Sequence, residues 1–236
     1  MNWSSETFFA YLGDPLFTNA AMVTVWVAVV SQVIGVIVGF GVALMQLSQN
    51  PAIRWLANFY VWFWRGSPLL VQLFLLYFGL PQLGIRLNVI EAGLIGLGLN
   101  ASGFMAEIIR GAILSVDKGE IEAARSLGLS RGKTMMYVIL PQAFRIIIPP
   151  LGNEFLSNLR TTSLLSVISF EELLRVTTLA INQTFRPIEL YSVAAIYYLA
   201  MTTVWTLVQA QLERRFAAGW SNAPAAQRAR WFSLKL

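Results

Sequence analysis

The sequence predicts an all-α polytopic membrane protein with five transmembrane helices, its N-terminus outside and its C-terminus inside. Composition is the first ground. Of 236 residues, 56% are hydrophobic and 12% charged, and the mean hydropathy is +0.61. A soluble domain carries about 25% charged residues, and so few charges cannot coat a globule of this size. The second ground is length: stretches of about 20 apolar residues recur along the chain, enough for each to cross a bilayer. The third is the placement of the net charge of +5, which gathers in alternate connecting segments. The same composition excludes a disordered chain, a collagen-like fibre and a disulfide scaffold. With no cysteine there is no thiol catalysis, Cys-ligated zinc or iron–sulfur cluster. With no histidine there is no imidazole base or proton relay.

Residues 1–19 have no basic leading region and carry Glu6 and Asp14, so they do not read as a signal peptide. Trp3, Phe8, Phe9, Tyr11, Leu12, Leu16 and Phe17 suggest instead an interfacial segment on the outer face. Residues 20–212 then form the transmembrane domain. Span one covers 20–46, inside a stretch from Asp14 to Arg54 with no ionisable side chain. Its Gly35 and Gly39 form a GxxxG pair, which reads as close helix packing. Span two covers 56–80 and is interrupted at Arg65-Gly66-Ser67-Pro68. Pro68 cannot donate a hydrogen bond and frees a carbonyl one turn back. The aromatic run Phe59, Tyr60, Trp62, Phe63 and Trp64 belongs near the inner interface.

Span three covers 89–113, with Gly93, Gly96 and Gly98 for packing and an i, i+3 pair, Glu107 and Arg110, near its far end. The segment between spans three and four is too long for an ordinary connector. It reads as two short helices. The first, 118–127, is stopped by Gly128 as a C′ residue. The second, 131–140, is capped by Ser130 and ends before Pro141. Span four covers 151–170, with Pro150 in its first turn and Glu154 and Arg160 inside it. Span five, 190–212, is free of charge, and a basic tail follows at 213–236.

Five spans put the termini on opposite sides. With the N-terminus outside, the inner segments hold eleven basic residues and the outer segments three (Arg86, Arg175 and Arg186). The positive-inside rule selects that orientation, and nucleic acid is not needed to explain the charge. Gly128-Leu129-Ser130-Arg131-Gly132-Lys133-Thr134 superficially suggests a phosphate loop. It has three residues where the motif needs four, and no strand precedes it, so no nucleotide site is expected.

Glu122-Ala123-Ala124, three residues, Gly128, and then Leu140-Pro141 reproduce a known signature, with Val138 in place of its isoleucine. The sequence resembles the permease subunits of ABC importers that carry this EAA motif. Arg65-Gly66-Ser67-Pro68, Ala106-Glu107-Ile108-Ile109-Arg110-Gly111, Pro149-Pro150-Leu151-Gly152-Asn153-Glu154 and Thr184-Phe185-Arg186-Pro187 look like the polar amino-acid (histidine, glutamine and arginine type) branch. The resemblance runs from about residue 18 to 215. It implies a type I importer fold in a bacterial cytoplasmic (inner) membrane, paired with an identical or different second permease chain. Two cytoplasmic ATPase subunits and an external solute-binding protein complete the implied assembly. ATP and Mg would sit on the ATPase partners, with no cofactor or metal on this chain. By the same resemblance the 118–141 loop supplies the coupling helices, and Glu122, Ala123, Ala124, Gly128, Leu140 and Pro141 are the coupling residues.

Ionisable and polar residues within spans mark a candidate substrate path. Arg65, Ser67 and Gln72 flank a broken helix, and such breaks often line midplane sites in transporters; a plain kink or a snorkelling arginine is the competing reading. Glu154, Asn158 and Thr161 fall at i, i+4 and i+7 on one helical face. An amino acid needs an anion for its ammonium group, which points to Glu154, and polar contacts from Asn158, Thr161, Ser67 and Gln72. A packing seam between permease chains is the competing reading of that stripe. Many relatives carry Lys-Asp-Thr-Ser where this chain has Arg160-Thr161-Thr162-Ser163, which removes one acid a basic amino acid would use. A membrane-embedded enzyme lacks support, because no paired carboxylates share an intramembrane face. An ion channel would show charge rings or a carbonyl filter sequence, and neither is visible.

Overall fold

The computed structural model describes residues 3–217, and all regular structure within them is helical. Helix α1 (Ser5–Leu12) is capped by the Ser4 hydroxyl, and α2 (Pro15–Gln46) by the Asp14 carboxylate with Pro15 in its first turn. The first long helix therefore begins five residues before the expected start at 20. Phe17, placed by the sequence on the interface, is instead fully buried among Leu173, Val176, Leu190 and Val193. An Asp-Pro pair is a strong helix start, and it carries the Phe17 ring into the core.

Helix α3 (Pro51–Gly66) ends at the expected break, and α4 (Leu69–Phe74) resumes beyond it. A π segment (Leu75–Gly79) and a 3-10 turn (Leu80–Leu83) extend α4. The two halves are bent by 102°, a corner rather than a proline kink. Helix α5 (Val89–Leu114) starts with a capping box between Asn88 and Glu91 and matches its expected span closely. Helix α6 (Lys118–Ser126) follows, capped by Asp117.

The next expectation fails. Helix α7 (Arg131–Thr134) does not end before Pro141 but continues through a π segment (Met135–Ile139) into α8 (Leu140–Thr161). The wider π turn lets the chain pass Pro141 without an α-type bond to its missing N–H. Pro149 and Pro150 likewise lie inside α8, so Pro150 does not open a helix. A 3-10 turn (Thr162–Ile168) ends this rod, followed by α9 (Leu173–Thr184) and α10 (Pro187–Ala217). Most of the basic tail, including Arg228, Arg230 and Lys235, lies outside the described residues.

Among the described residues, four helical stretches are long and apolar enough to cross a membrane: Pro15–Gln46, Val89–Leu114, Arg131–Ile168 and Pro187–Phe216. The bent pair Pro51–Gly66 and Leu69–Leu83 makes a fifth if taken as one span. At the centre α2 lies flush against α5. A Cβ on Gly35 would stand 2.8 Å from the Ala101 Cβ, and one on Gly39 2.7 Å from the Met105 Cβ. The GxxxG pair therefore works as the sequence suggests, letting two backbones meet where any side chain would hold them apart. Opposite these glycines, exposed Val29, Val33 and Ile37 line the outer face of α2, as an apolar solvent permits.

Candidate functional site

The corner between α3 and α4 is built by its own hydrogen bonds. Pro68 brings no N–H to the Trp64 carbonyl, so that oxygen takes side-chain donors instead: Gln72 Nε2 at 3.0 Å and Asn100 Nδ2, from α5, at 3.1 Å. Gln72 Nε2 also donates to the Ser67 carbonyl (3.1 Å) and hydroxyl (2.8 Å), while its Oε1 accepts from Asn100 at 3.1 Å. Ser67 in turn donates to the Phe63 carbonyl at 2.8 Å. Gln72 is 2% exposed, so its amide is committed to the corner rather than open to a passing solute.

Next to Trp64 begins a charged cluster. Glu107 pairs with Arg110 at 3.1 Å through two N–H donors, as the i, i+3 spacing suggests, and Arg65 Nη1 approaches the same carboxylate at 3.7 Å. Gln46 Nε2 donates to Glu107 Oε1 at 2.9 Å and to Asn58 Oδ1 at 3.1 Å. The Arg65 guanidinium lies 5.2 Å from the Phe104 ring centroid, a cation–π contact. Its stem crosses Gly103, where a Cβ would stand 3.1 Å from the Arg65 Cγ. The Arg65 side chain remains 42% exposed, and its charge also acts on the half-buried Glu154 carboxylate of α8.

The polar stripe of α8 divides. Asn158, 5% exposed, faces α2 and donates to the Ala28 carbonyl (3.2 Å), the Ser31 hydroxyl (3.0 Å) and Gln32 Oε1 (3.4 Å). Thr161 turns its hydroxyl back to the Ser157 carbonyl at 2.8 Å. Arg160 is exposed and bonds the Leu156 carbonyl at 3.2 Å. Of the six expected path residues, Arg65 is exposed and Glu154 half-buried with opposite charge, Ser67 and Thr161 stand partly exposed, and Gln72 and Asn158 are sequestered.

Beyond the C-terminal end of α5, α6 closes in a Schellman motif. Gly128 adopts φ +85°, its N–H donates to the Arg125 carbonyl, and the Leu129 N–H donates to the Ala124 carbonyl. Glu122 and Ala123 are exposed, whereas Ala124 is buried. Gln142, just past Leu140 and Pro141, hydrogen-bonds Glu120 and ties α6 to the start of α8.

Two acidic residues escaped the sequence reading. Glu172, fully buried, caps α9 by accepting the Leu174 and Arg175 N–H groups (2.9 and 2.7 Å), and Tyr198 donates to it at 2.9 Å. Burial pushes its carboxyl up to about 7, against the pull of those donors. Glu189 accepts the Ser4 N–H at 2.8 Å and fastens α1 to α10. A Glu directly before a helical apolar run was the available signal for Glu172. Asn100 gave no such signal, since an amide in a packed span has no pattern of its own. No group of three or more His, Cys, Asp or Glu suited to a metal occurs among the described residues.

A multi-helix membrane bundle with a broken span, intramembrane charges and an exposed helical hairpin defines a membrane transport subunit rather than an enzyme. The chain belongs to the family described as binding-protein-dependent transport system inner membrane component, whose profile matches residues 33–218. It is 40% identical over 194 residues to the probable amino-acid ABC transporter permease protein YckA of Bacillus subtilis, covering 82% of this chain and 86% of that one. Identity to the glutamine transport system permease protein GlnP of Escherichia coli K12 is 36% over 203 residues, covering 85% and 93%. A crystal structure of an amino acid ABC transporter with histidines superposes with TM-score 0.86 at 39% identity, covering 91% of this chain and all of that one. The fold is that of a type I importer permease, and members of this family are permease subunits whose ATP hydrolysis belongs to a partner ATPase.

Proposed function

We infer that this chain is the permease subunit of an ABC importer for a polar amino acid, seated in a bacterial cytoplasmic membrane with its N-terminus outside. It works with a second permease chain, identical or not, with two ATPase subunits that hold ATP and Mg, and with an external solute-binding protein. The observation that carries this reading is the presence of two opposite charges beside a broken span, exposed Arg65 and half-buried Glu154, the one acting electrostatically on the other. Glu154 holds the ammonium of the amino acid and Arg65 its carboxylate, with the Ser67 and Thr161 hydroxyls as further polar contacts. Arg65 shares the Glu107 carboxylate with Arg110 and Glu154 is half-buried, so a zwitterion that brings an ammonium to Glu154 and a carboxylate to Arg65 offsets the cost of charges within a membrane segment.

Energy enters through the exposed α6–Gly128 turn. Glu122 offers a charge to a basic partner surface, the exposed Ala123 permits its close approach, and the buried Ala124 lets α6 pack closely against its own chain. Gly128, Leu140 and Pro141 fix the exit of the chain into α8. Closure of the ATPase pair moves this hairpin as a rigid body, and α5 and α8, which it joins, carry the motion to the path.

The test is reconstitution of the complex in vesicles with its ATPase and binding protein, offered a panel of amino acids. Uptake that needs all components and ATP is expected, along with an ATPase that co-purifies only when the 118–141 loop is intact. Stable isolation of this chain without an ATPase, or ATP-independent uptake, would overturn the reading.

A further inference from the structure

Trp64 and Arg65 are neighbours in the last turn of α3, where Ser67 N–H still reaches the Phe63 carbonyl but Pro68 has no N–H for the Trp64 carbonyl. We propose that Asn100 and Gln72 are positioning residues for transport: they clamp the Trp64 carbonyl to α5 and so aim the Arg65 guanidinium along the substrate path. This rests on the assignment of Arg65 to that path.

The bond pattern supports a built device rather than incidental contact. The Trp64 oxygen receives two donors, one from each amide, at 3.0 and 3.1 Å. The amides are themselves joined, Asn100 Nδ2 to Gln72 Oε1 at 3.1 Å. Gln72 also grips both oxygens of Ser67. Gln72 thus holds the residues on each side of the break, and Asn100 holds the result to a neighbouring helix. On α5, Gly103 and Phe104 lie one turn beyond Asn100 and form the bed on which Arg65 rests. One short stretch of α5 therefore fixes both the backbone at Trp64 and the side chain that follows it. Without the clamp the carbonyl faces a membrane interior with no donor, and the corner is free to rotate.

Asn100→Asp keeps the shape and removes the donor to Trp64, and because it also sets a carboxylate against the Trp64 and Gln72 oxygens, Asn100→Leu, which removes the donor without adding a charge, is tested beside it. Leaving one buried carbonyl short of a donor is expected to lower uptake by about tenfold, with a rise in half-saturating solute concentration larger than the fall in maximal rate. Gln72→Glu is expected to act alike; the buried carboxylates lower the thermal midpoint of these two acidic variants, whereas Asn100→Leu keeps the yield of the assembled complex near the parent. In an Arg65→Ala background, already impaired, Asn100→Asp is expected to add no further loss. Uptake by Asn100→Asp within twofold of the parent overturns the proposal. So does a further tenfold loss on the Arg65→Ala background, or normal uptake by Arg65→Ala itself. Failure of the transport reading is distinct, because it shows in the parent complex, which would then not take up amino acid at all.

Discussion

Glu107 and Arg110 face each other across one turn of α5 at 3.1 Å, and Arg65 reaches the same carboxylate from α3 at 3.7 Å. One anion therefore serves two cations from two helices. Removing it with Glu107→Ala leaves two like charges facing each other within a membrane segment. The side chains are 28–42% exposed, so solvent and headgroups screen the loss. A coupling of about 1 kcal/mol between Glu107→Ala and Arg110→Ala is expected in a double-mutant cycle on the thermal stability of the purified chain. Strict additivity would show that the pair contributes nothing.

The α2–α5 contact makes a sharper forecast. A Cβ at Gly39 would meet the Met105 Cβ at 2.7 Å and the Ser102 carbonyl oxygen at 2.9 Å, both rigid helix atoms. Gly41, two residues on, has open space around it. Gly39→Val is expected to lower the yield of folded chain several-fold, following overpacking penalties of about 1–3 kcal/mol. Gly41→Ala should leave yield unchanged. Equal yields for the two variants, measured by size-exclusion chromatography in detergent, would refute the close packing.

How much of this was legible in the sequence follows from which forces act locally. Span three was read almost to the residue because the Asn88 cap and the apolar run act within one helix. The Gly128 stop was read for the same reason, since only a residue at ease with positive φ closes a Schellman turn. Pro141 misled because the same residue can end a helix or be absorbed by a π turn, and packing decides between them. Asn158 and Gln72 sat on the expected helices, yet their amides went to α2 and α5 rather than to a path. A buried amide bonds whichever neighbour the tertiary fold supplies, and no periodicity records that choice.

Gly128 offers the clearest test of coupling. At φ +85° a β-branched side chain is strained, so Gly128→Val breaks the turn that links α6 to α7 and α8. The loss is local, because a Cβ added at that glycine would meet nothing within 4 Å beyond its chain neighbours. Membrane insertion and chain yield are expected to match the parent. Uptake and solute-stimulated ATP hydrolysis should fall roughly tenfold, in line with a strain of about 1–2 kcal/mol. Normal solute-stimulated hydrolysis in the reconstituted variant would remove the loop from energy transfer.

Glu172 predicts a pH dependence with a definite sign. Its carboxyl titrates at about 7 when folded, against an ordinary glutamate value of 4.5, so the folded chain holds the proton more tightly. The stability it contributes is complete below pH 4.5 and is lost as pH rises through about 7, a swing on the order of 3 kcal/mol. The thermal midpoint of the solubilised chain is expected to fall between about pH 5 and pH 8, and Glu172→Gln should flatten that slope. An unchanged slope in the variant would assign the dependence to another group.

Glu154 carries the last forecast, and it separates the two readings of the α8 stripe. If the stripe were only a packing seam, Glu154→Gln would keep the shape and relieve a half-buried charge, leaving uptake intact or improved. If Glu154 holds the substrate ammonium beside Arg65, the same change removes the only anion offered to that cation from α8's partly buried face. A charge-assisted hydrogen bond contributes about 1.5–3 kcal/mol, so solute affinity of the reconstituted complex is expected to fall roughly tenfold to a hundredfold. The loss should be specific: binding-protein affinity for the amino acid and basal ATP hydrolysis remain at the parent level. Asn158→Asp supplies the contrast, because Asn158 is bonded to Ala28 and Ser31 and touches no path. That variant is expected to lower thermal stability with solute affinity unchanged. The opposite pattern, with Glu154→Gln transporting normally and Asn158→Asp losing affinity, would move the path from the Arg65 side of α8 to the seam with α2.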